Sequence, residues 1–363
     1  MMSATYQAVQ GQSVWTGESL ENDPTWRVQI TEEQQAELKA SLALVKKKGL
    51  GLRDLSRESF PLGVTTQALA QQIVDSVKHG RGFIVLRGFP VQGQSDDDIR
   101  LMYLGLSQYL GTCISQDPQS VLIADVKEKG IDKTPLTRAY GSKHPTRLHV
   151  DLGDVVGLLG VRQAPIGALS TIASSTAVYN EFVRQHPEWL PLACEGFHWD
   201  RFAEQKEWEE PYSPTKIPVF SFADNGQLSA RYNRSWINAG ALRRDIPFTE
   251  QEQAVLDFFD ATARSLALTV RVHPGDLYFA NNYMVLHGRD QYEESADTPF
   301  EHRRLFLRVW FNIPQIRRFS DEAIVRFGLS SHGNIGWTSR ELTEGKNLTP
   351  GHQRVRLEST EYA

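Results

Sequence analysis

Cysteine is nearly absent: Cys113 and Cys194 are the only two in 363 residues, and they lie in unrelated contexts. With no CxxC pair and no spaced cysteine framework, a disulfide scaffold is excluded and a reducing compartment is expected. No apolar run approaches the roughly 20 residues of a membrane span. The opening Met1-Met2-Ser3-Ala4-Thr5-Tyr6-Gln7 has neither the basic nor the apolar region of a secretory leader. The expectation is a soluble, cytoplasmic protein without a membrane partner. Basic excess is missing too: 39 Lys and Arg stand against 44 Asp and Glu, a net charge of -5. Phosphate contacts need a basic surface, so general nucleic-acid binding is not expected. Neither internal repeats nor low-complexity segments are visible.

What remains is an ordinary globular composition, 40% hydrophobic and 10% aromatic, enough for a core that needs no staples. Residues 1–30 are polar and irregular and read as an N-terminal arm. Thr31-Glu32-Glu33-Gln34 has capping-box spacing and opens a helix with Leu38, Leu42 and Val45 on one stripe; Lys46-Lys47-Lys48-Gly49 closes it. A second helix is predicted over 66–78, a buried strand over 82–90, and a helix from the Ser95 cap to 110.

From Val121 strands dominate, at 121–126, around His149 to Val161, and at 168–173. A helix is predicted over 176–185. Residues 195–245 mix Trp199, Trp208, Tyr212, Tyr232 and Trp236 with arginine, proline and glycine, as a lid-like insertion would. Thr249-Glu250-Gln251-Glu252 opens another helix, and strands follow at 268–272, 276–279, 284–287 and 303–311. The fold class expected is α+β, with one domain over 31–315 and a C-terminal extension over 316–363.

In Leu148-His149-Val150-Asp151, an extended backbone turns His149 and Asp151 to the same face. An imidazole and a carboxylate side by side are two-thirds of a metal site. His287, in Met284-Val285-Leu286-His287-Gly288-Arg289, is the third candidate. Two histidines and one carboxylate form the facial triad of non-haem Fe(II), which leaves one octahedral face open. In Arg303-Arg304-Leu305-Phe306-Leu307-Arg308-Val309-Trp310-Phe311, period two puts Arg304, Phe306, Arg308 and Trp310 on one face. Two arginines facing a metal cavity need an anion, and a guanidinium clamps a carboxylate through paired hydrogen bonds. Taken alone, the pattern fits a strand with one solvated, charged face equally well.

His149-x-Asp151, then His287, then Arg304 and Arg308 resemble, in order, the taurine dioxygenase-like (TauD/TfdA) branch of the Fe(II)/2-oxoglutarate-dependent oxygenases. Gly82-Phe83-Ile84-Val85-Leu86-Arg87-Gly88-Phe89 and Pro274-Gly275-Asp276-Leu277-Tyr278-Phe279-Ala280-Asn281-Asn282 support the resemblance, which covers roughly residues 80 to 315. It implies a double-stranded β-helix, or jelly-roll, core with helices packed on one side. It also implies His149, Asp151 and His287 as iron ligands, Arg308 pairing with the distal carboxylate of 2-oxoglutarate, Arg304 as its neighbour, and Ser170 as a further hydroxyl on that carboxylate. O2 is the other cosubstrate, succinate and CO2 are released, and a homodimer is the implied assembly.

The family's halogenases lack the carboxylate ligand, so Asp151 points to hydroxylation, desaturation or ring formation. Arg231, Arg234 and Asn282 are candidates for contacting a small anionic or amino-acid-like substrate, although Asn282 could equally orient ligands or make a turn. A metal-dependent hydrolase or isomerase, and a non-catalytic jelly-roll binding protein, are the alternative readings.

Overall fold

The computed structural model describes residues 6–116, 121–130, 134–136, 141–202, 210–223, 226–313 and 316. The expected C-terminal extension therefore lies outside the described residues except for Ile316, as do residues 1–5 of the arm and 203–209 and 224–225 of the insertion. The helices are α1 Gly17–Glu21, α2 Glu32–Lys47, α3 Val64–Lys78, α4 Asp96–Ser107, α5 Ser175–Gln185, α6 Leu190–Glu195, α7 Arg234–Arg244 and α8 Glu250–Ser265. Strands β1 to β6 are Arg27–Gln29, Phe83–Arg87, Thr112–Ile114, Ile123–Val126, Thr146–His149 and Val155–Arg162. Strands β7 to β11 are Ile166–Gly167, Ser170–Ser174, Phe220–Phe222, Leu228–Ala230 and Leu268–Val270. The last four, β12 to β15, are Leu277–Asn281, Val285–Arg289, Tyr292–Glu293 and Leu305–Asn312.

Two sheets form the jelly-roll core. The larger runs β1-β2-β12-β6-β15-β3, with β4 also paired to β15; the smaller runs β11-β8-β13-β5. Strand β6 is the centre of the large sheet, flanked by β12 and β15. Its run Val155-Val156-Gly157-Leu158-Leu159-Gly160-Val161 is buried throughout, as expected of a strand covered on both faces. Helices α3 and α4 pack against the large sheet, and α2 packs on both helices. A second helical layer, α5 and α8, lies against the small sheet, so helices cover both sides of the sandwich. Among the described residues, no helix is long and apolar enough to cross a membrane.

The predicted caps are present. Thr31 and Gln34 form the capping box of α2, Thr249 and Glu252 that of α8, and Ser95 caps α4. Helix α3 starts at Gly63, which has no capping side chain. Glu37 of α2 substitutes for it, accepting hydrogen bonds from the Thr66 amide (3.1 Å) and from the hydroxyls of Thr65 and Thr66.

Residues 6–30 depart from the expectation of an irregular arm. Trp15, Leu20, Trp26 and Ile30 are buried in the core, and β1 pairs in parallel with β2. The Trp15 and Trp26 rings pack on Phe83 at 5.0 and 5.7 Å between centroids. The indole N–H groups find the carbonyls of Arg81 and Leu20, so both residues are buried without an orphaned donor.

Candidate metal and cosubstrate site

Strands β5 and β13 are antiparallel neighbours, and His149 and His287 stand directly opposite each other in their register. Their side chains therefore share a face, with ring centroids 4.4 Å apart. The register shifts at Gly288, where a Cβ would lie 2.8 Å from the Thr146 carbonyl oxygen and 3.1 Å from the Leu148 nitrogen. Glycine there lets the two ligand-bearing strands approach.

Asp151 sits just past the end of β5, in a loop held from several sides. The Val150 amide donates to the Tyr232 carbonyl and the Asp151 amide donates to Asn282 Oδ1 (3.0 Å). Asn282 Nδ2 donates in turn to the Gly153 carbonyl (2.9 Å), and Arg231 Nη1 donates to the Asp151 carbonyl (2.9 Å). The loop thus presents the Asp151 carboxylate to both imidazoles, 3.8 Å from His149 Nε2 and 3.6 Å from His287 Nε2.

The donor chemistry fits a divalent metal. His149 Nδ1 lies 2.8 Å from the Arg147 carbonyl, which only accepts, so the proton belongs on Nδ1 and the Nε2 lone pair faces Asp151. His287 Nδ1 is buried with no hydrogen-bond partner among the described residues. Burial, helped by the neighbouring His287, pushes the His149 imidazole down to about 4, keeping it in the neutral form that ligation needs. For Asp151, burial acts to raise the carboxyl, but the Arg308 guanidinium and the His287 imidazole overcome it and hold it far below the usual carboxylate range. One donor atom from each of His149, Asp151 and His287 lies within 4.8 Å of the others. This set could hold Fe(II) with one octahedral face open.

The opposite wall is the large sheet. Arg308 on β15, Leu158 on β6 and Tyr278 on β12 lie side by side in register, and all three line a cavity of about 140 Å³ with the metal set. The expected face of the last strand is present: Arg304, Phe306, Arg308 and Trp310 all line this cavity. Trp310 Nε1 donates to Asp151 Oδ2 at 2.9 Å, and Arg308 Nη1 lies 3.3 Å from the same oxygen. Arg308 is aimed by Gln116, whose Oε1 accepts from Arg308 Nε and whose Nε2 donates to the Arg308 carbonyl, both at 2.7 Å.

Arg304 is buried farther along the strand, over the Phe306 ring at 4.1 Å, with Nε donating to Gln163 Oε1. Burial and nearby Arg289 lower its guanidinium to about 10, so it remains a cation at neutral pH. Ser170, at the start of β8, lines the same cavity.

Three expected substrate contacts lie elsewhere. Arg231 is buried over the Tyr283 ring at 4.2 Å and serves the Asp151 loop. Arg234 is spent on Asp257 (2.9 Å) and Asp260 (3.4 Å) of α8 and on Asn238. Asn282 is fully buried beneath the loop it clamps. None of the three lines the cavity, because each satisfies a partner that sequence order keeps remote. The insertion instead contributes Asn233, Ser235 and Trp236 around the first turn of α7. Gln116, Leu158 and Tyr278 were not anticipated. Their signal is positional: Leu158 and Tyr278 emerge only once β6, β12 and β15 are in register, and Gln116 only once β3 pairs with β15.

Comparison with known proteins agrees with this geometry. Residues 50–310 match the model of the taurine catabolism dioxygenase TauD, TfdA family. Among relatives, FR-33289 synthase of Streptomyces rubellomurinus is 28% identical over 88% of this chain and 94% of its own length. The taurine hydroxylase-like protein SAT17 of Stachybotrys chartarum is 26% identical over 79% of this chain and 76% of its own. Among solved structures, asparagine oxygenase in complex with Fe(II), 2S,3S-3-hydroxyasparagine and succinate superposes with a TM-score of 0.62 at 17% identity, covering 79% of this chain and 93% of that one. The non-heme iron oxygenase OrfP with Fe and alpha-ketoglutaric acid gives 0.59 at 15% identity, covering 79% and 94%. With the match spanning most of its length and its two histidines and carboxylate gathered in one cavity, the chain belongs to the taurine catabolism dioxygenase TauD, TfdA family, and is a 2-oxoglutarate-dependent non-haem iron oxygenase.

Proposed function

We propose that the enzyme oxidises an unactivated C–H bond of a small anionic or amino-acid-like molecule, by hydroxylation or by the related desaturation or cyclisation. His149, Asp151 and His287 would hold the iron. When bound, iron supplies the oxygen-activating chemistry that couples loss of CO2 from 2-oxoglutarate, leaving succinate, to substrate oxidation. The protein's own residues bind, orient and exclude water.

The observation that carries this reading is one cavity bounded by the three ligands on one side and by Arg304 and Arg308 on the other. The arginines divide the work by distance from the metal set. Arg308 touches the Asp151 carboxylate, so it serves an anionic group at the metal end, of cosubstrate or substrate. Arg304, two same-face positions back along β15, and Ser170 serve the distal carboxylate of 2-oxoglutarate. This order reverses the one expected from the resemblance. Asparagine oxygenase with 3-hydroxyasparagine and OrfP with (3S)-hydroxy-L-Arg support the amino-acid-like substrate class. Unpaired Cys113 and Cys194 are in keeping with a cytoplasmic setting. Assembly as a homodimer rests on the family resemblance alone.

Anaerobic addition of Fe(II) and 2-oxoglutarate should give a visible charge-transfer band, and Asp151→Ala should abolish substrate-coupled succinate release; turnover unchanged by that substitution would sink the reading. Arg304→Lys should weaken 2-oxoglutarate binding more than Arg308→Lys does. The opposite ranking would return the distal carboxylate to Arg308.

A further inference from the structure

A second cavity, about 290 Å³, lies beside the metal cavity between the same two sheets. Its walls are β8 and β11 of the small sheet and β1, β2 and β12 of the large one. Phe83, Val85, Ile172, Val270 and Val272 make its interior apolar, while exposed Arg27, Arg87, Thr269 and His273 ring its mouth. Ser170 and Tyr278 line both cavities and form the partition between them. The Tyr278 ring packs edge-on to the His287 imidazole, with centroids 6.4 Å apart. A single aromatic side chain therefore separates an apolar recess that reaches the surface from a metal-ligating histidine.

We propose that this recess is the route by which O2 reaches the metal cavity once the organic reactants are seated. The inference rests on the oxygenase reading, and its reasoning is spatial. The metal cavity is small, about 140 Å³, so 2-oxoglutarate and substrate together fill it and obstruct its own mouth. An apolar diatomic gas partitions into apolar space, where a charged reactant would lose hydration without a partner. The recess offers such space, many times the roughly 30 Å³ that one water-sized molecule takes up. Dicarboxylate entry by the same path is disfavoured because the interior behind the cationic mouth is mostly hydrocarbon and its buried carboxylate, Asp276, repels an anion. Arg271, the deepest cation there, is already bonded to the Gly167 and Ala164 carbonyls. Passage past the partition needs a displacement of the Tyr278 ring, since Ser170 is engaged by the seated 2-oxoglutarate, and leaves the strands in place.

Two measurements test this. The first needs no turnover: the full chain loaded with diamagnetic Zn(II) and 2-oxoglutarate is placed under O2 pressure, and methyl relaxation is read by NMR. The methyls of Ile172 and Val272 should relax several-fold faster than those of Leu42 and Leu69, comparably buried in packed helices. No excess over those reference methyls would overturn the proposal even if the enzyme is a working oxygenase.

The second fills the recess, by Val270→Phe from β11 and, independently, Val85→Phe from β2. Each should lower kcat/KM for O2 by about three- to tenfold while the anaerobic charge-transfer band and the KM for 2-oxoglutarate stay unchanged. An unchanged O2 dependence in a folded variant refutes the route, and a rise in the KM for 2-oxoglutarate in its place would assign the recess to the dicarboxylate. Absence of the charge-transfer band in the wild-type protein would be a failure of the oxygenase reading, separate from either result.

Discussion

Replacing Asn282 by alanine separates a substrate contact from a scaffold. The side chain is wholly buried and holds two groups of the metal loop, accepting from the Asp151 amide at 3.0 Å and donating to the Gly153 carbonyl at 2.9 Å. Alanine leaves one buried donor and one buried acceptor without these partners, at about 1–3 kcal/mol each. The metal-free protein should lose about 2–6 kcal/mol of stability. At roughly 2 cal/mol/K of unfolding entropy per residue, that is a drop of about 3–8 °C in Tm, measurable by calorimetry. Because the clamp sets where the Asp151 carboxylate sits, Fe(II) affinity should fall about 10–100-fold, as for other groups that orient metal ligands. Anaerobic titration of the charge-transfer band reads this directly. Asn282→Asp should not rescue, since a carboxylate cannot donate to Gly153 and brings a second negative charge beside Asp151. If Asn282→Ala keeps its Fe(II) affinity within twofold and raises only the KM for substrate, the clamp argument is wrong and Asn282 is a substrate residue.

Gln116→Leu removes the acceptor that aims Arg308 but touches no metal ligand, so the KM for the anion bound by Arg308 should rise roughly tenfold with Fe(II) affinity intact; equal loss of both would place Gln116 in the metal site. Gly288→Ala drives a Cβ into backbone of β5 that has no freedom to rotate away, and it should cut Fe(II) affinity by about an order of magnitude with little change in secondary structure by circular dichroism. Glu37→Gln tests the borrowed cap of α3. Burial raises the Glu37 carboxyl, but hydrogen bonds from Thr66 and Thr65 outweigh it and leave its folded pKa below the unfolded one. The stabilisation, about 1 kcal/mol, is therefore fully present above roughly pH 5 and lost as pH falls through the folded value. Urea unfolding of wild type and variant should converge on acidification; a gap that persists to pH 3 would show that the carboxylate's charge is irrelevant.

Local rules made much of this molecule legible in advance. The caps at Thr31, Ser95 and Thr249 depend on residues three apart, and each forms. The face shared by Arg304, Phe306, Arg308 and Trp310 follows from period two along an unbroken strand. Failures of the reading arise where the deciding partner is remote. Strand β1 is three residues whose extended state depends on β2, more than fifty residues on, and nothing in Arg27-Val28-Gln29 announces it. Arg231 and Arg234 read as ligand-seeking cations because their partners, the Asp151 carbonyl and the carboxylates of Asp257 and Asp260, are invisible until the chain folds. Tyr278 looked like one more aromatic on a buried strand, and only its register with Leu158 and Arg308 puts it at the cavity.

The position of β6 carries a consequence for biosynthesis. Both of its neighbours in the sheet, β12 and β15, are encoded far downstream, and β15 ends at Asn312. At translation rates of about 5–20 residues per second, the apolar stretch from Val155 to Val161 waits on the order of ten to thirty seconds for its flanking strands. Throughout that interval it is a short, uncharged, β-prone segment with open hydrogen-bonding edges, the kind that templates aggregation. Yield in a heterologous host should therefore respond to growth temperature and chaperone supply more strongly than the stability of the finished fold would suggest. The heavy non-local pairing should also make refolding from denaturant slow and sensitive to protein concentration.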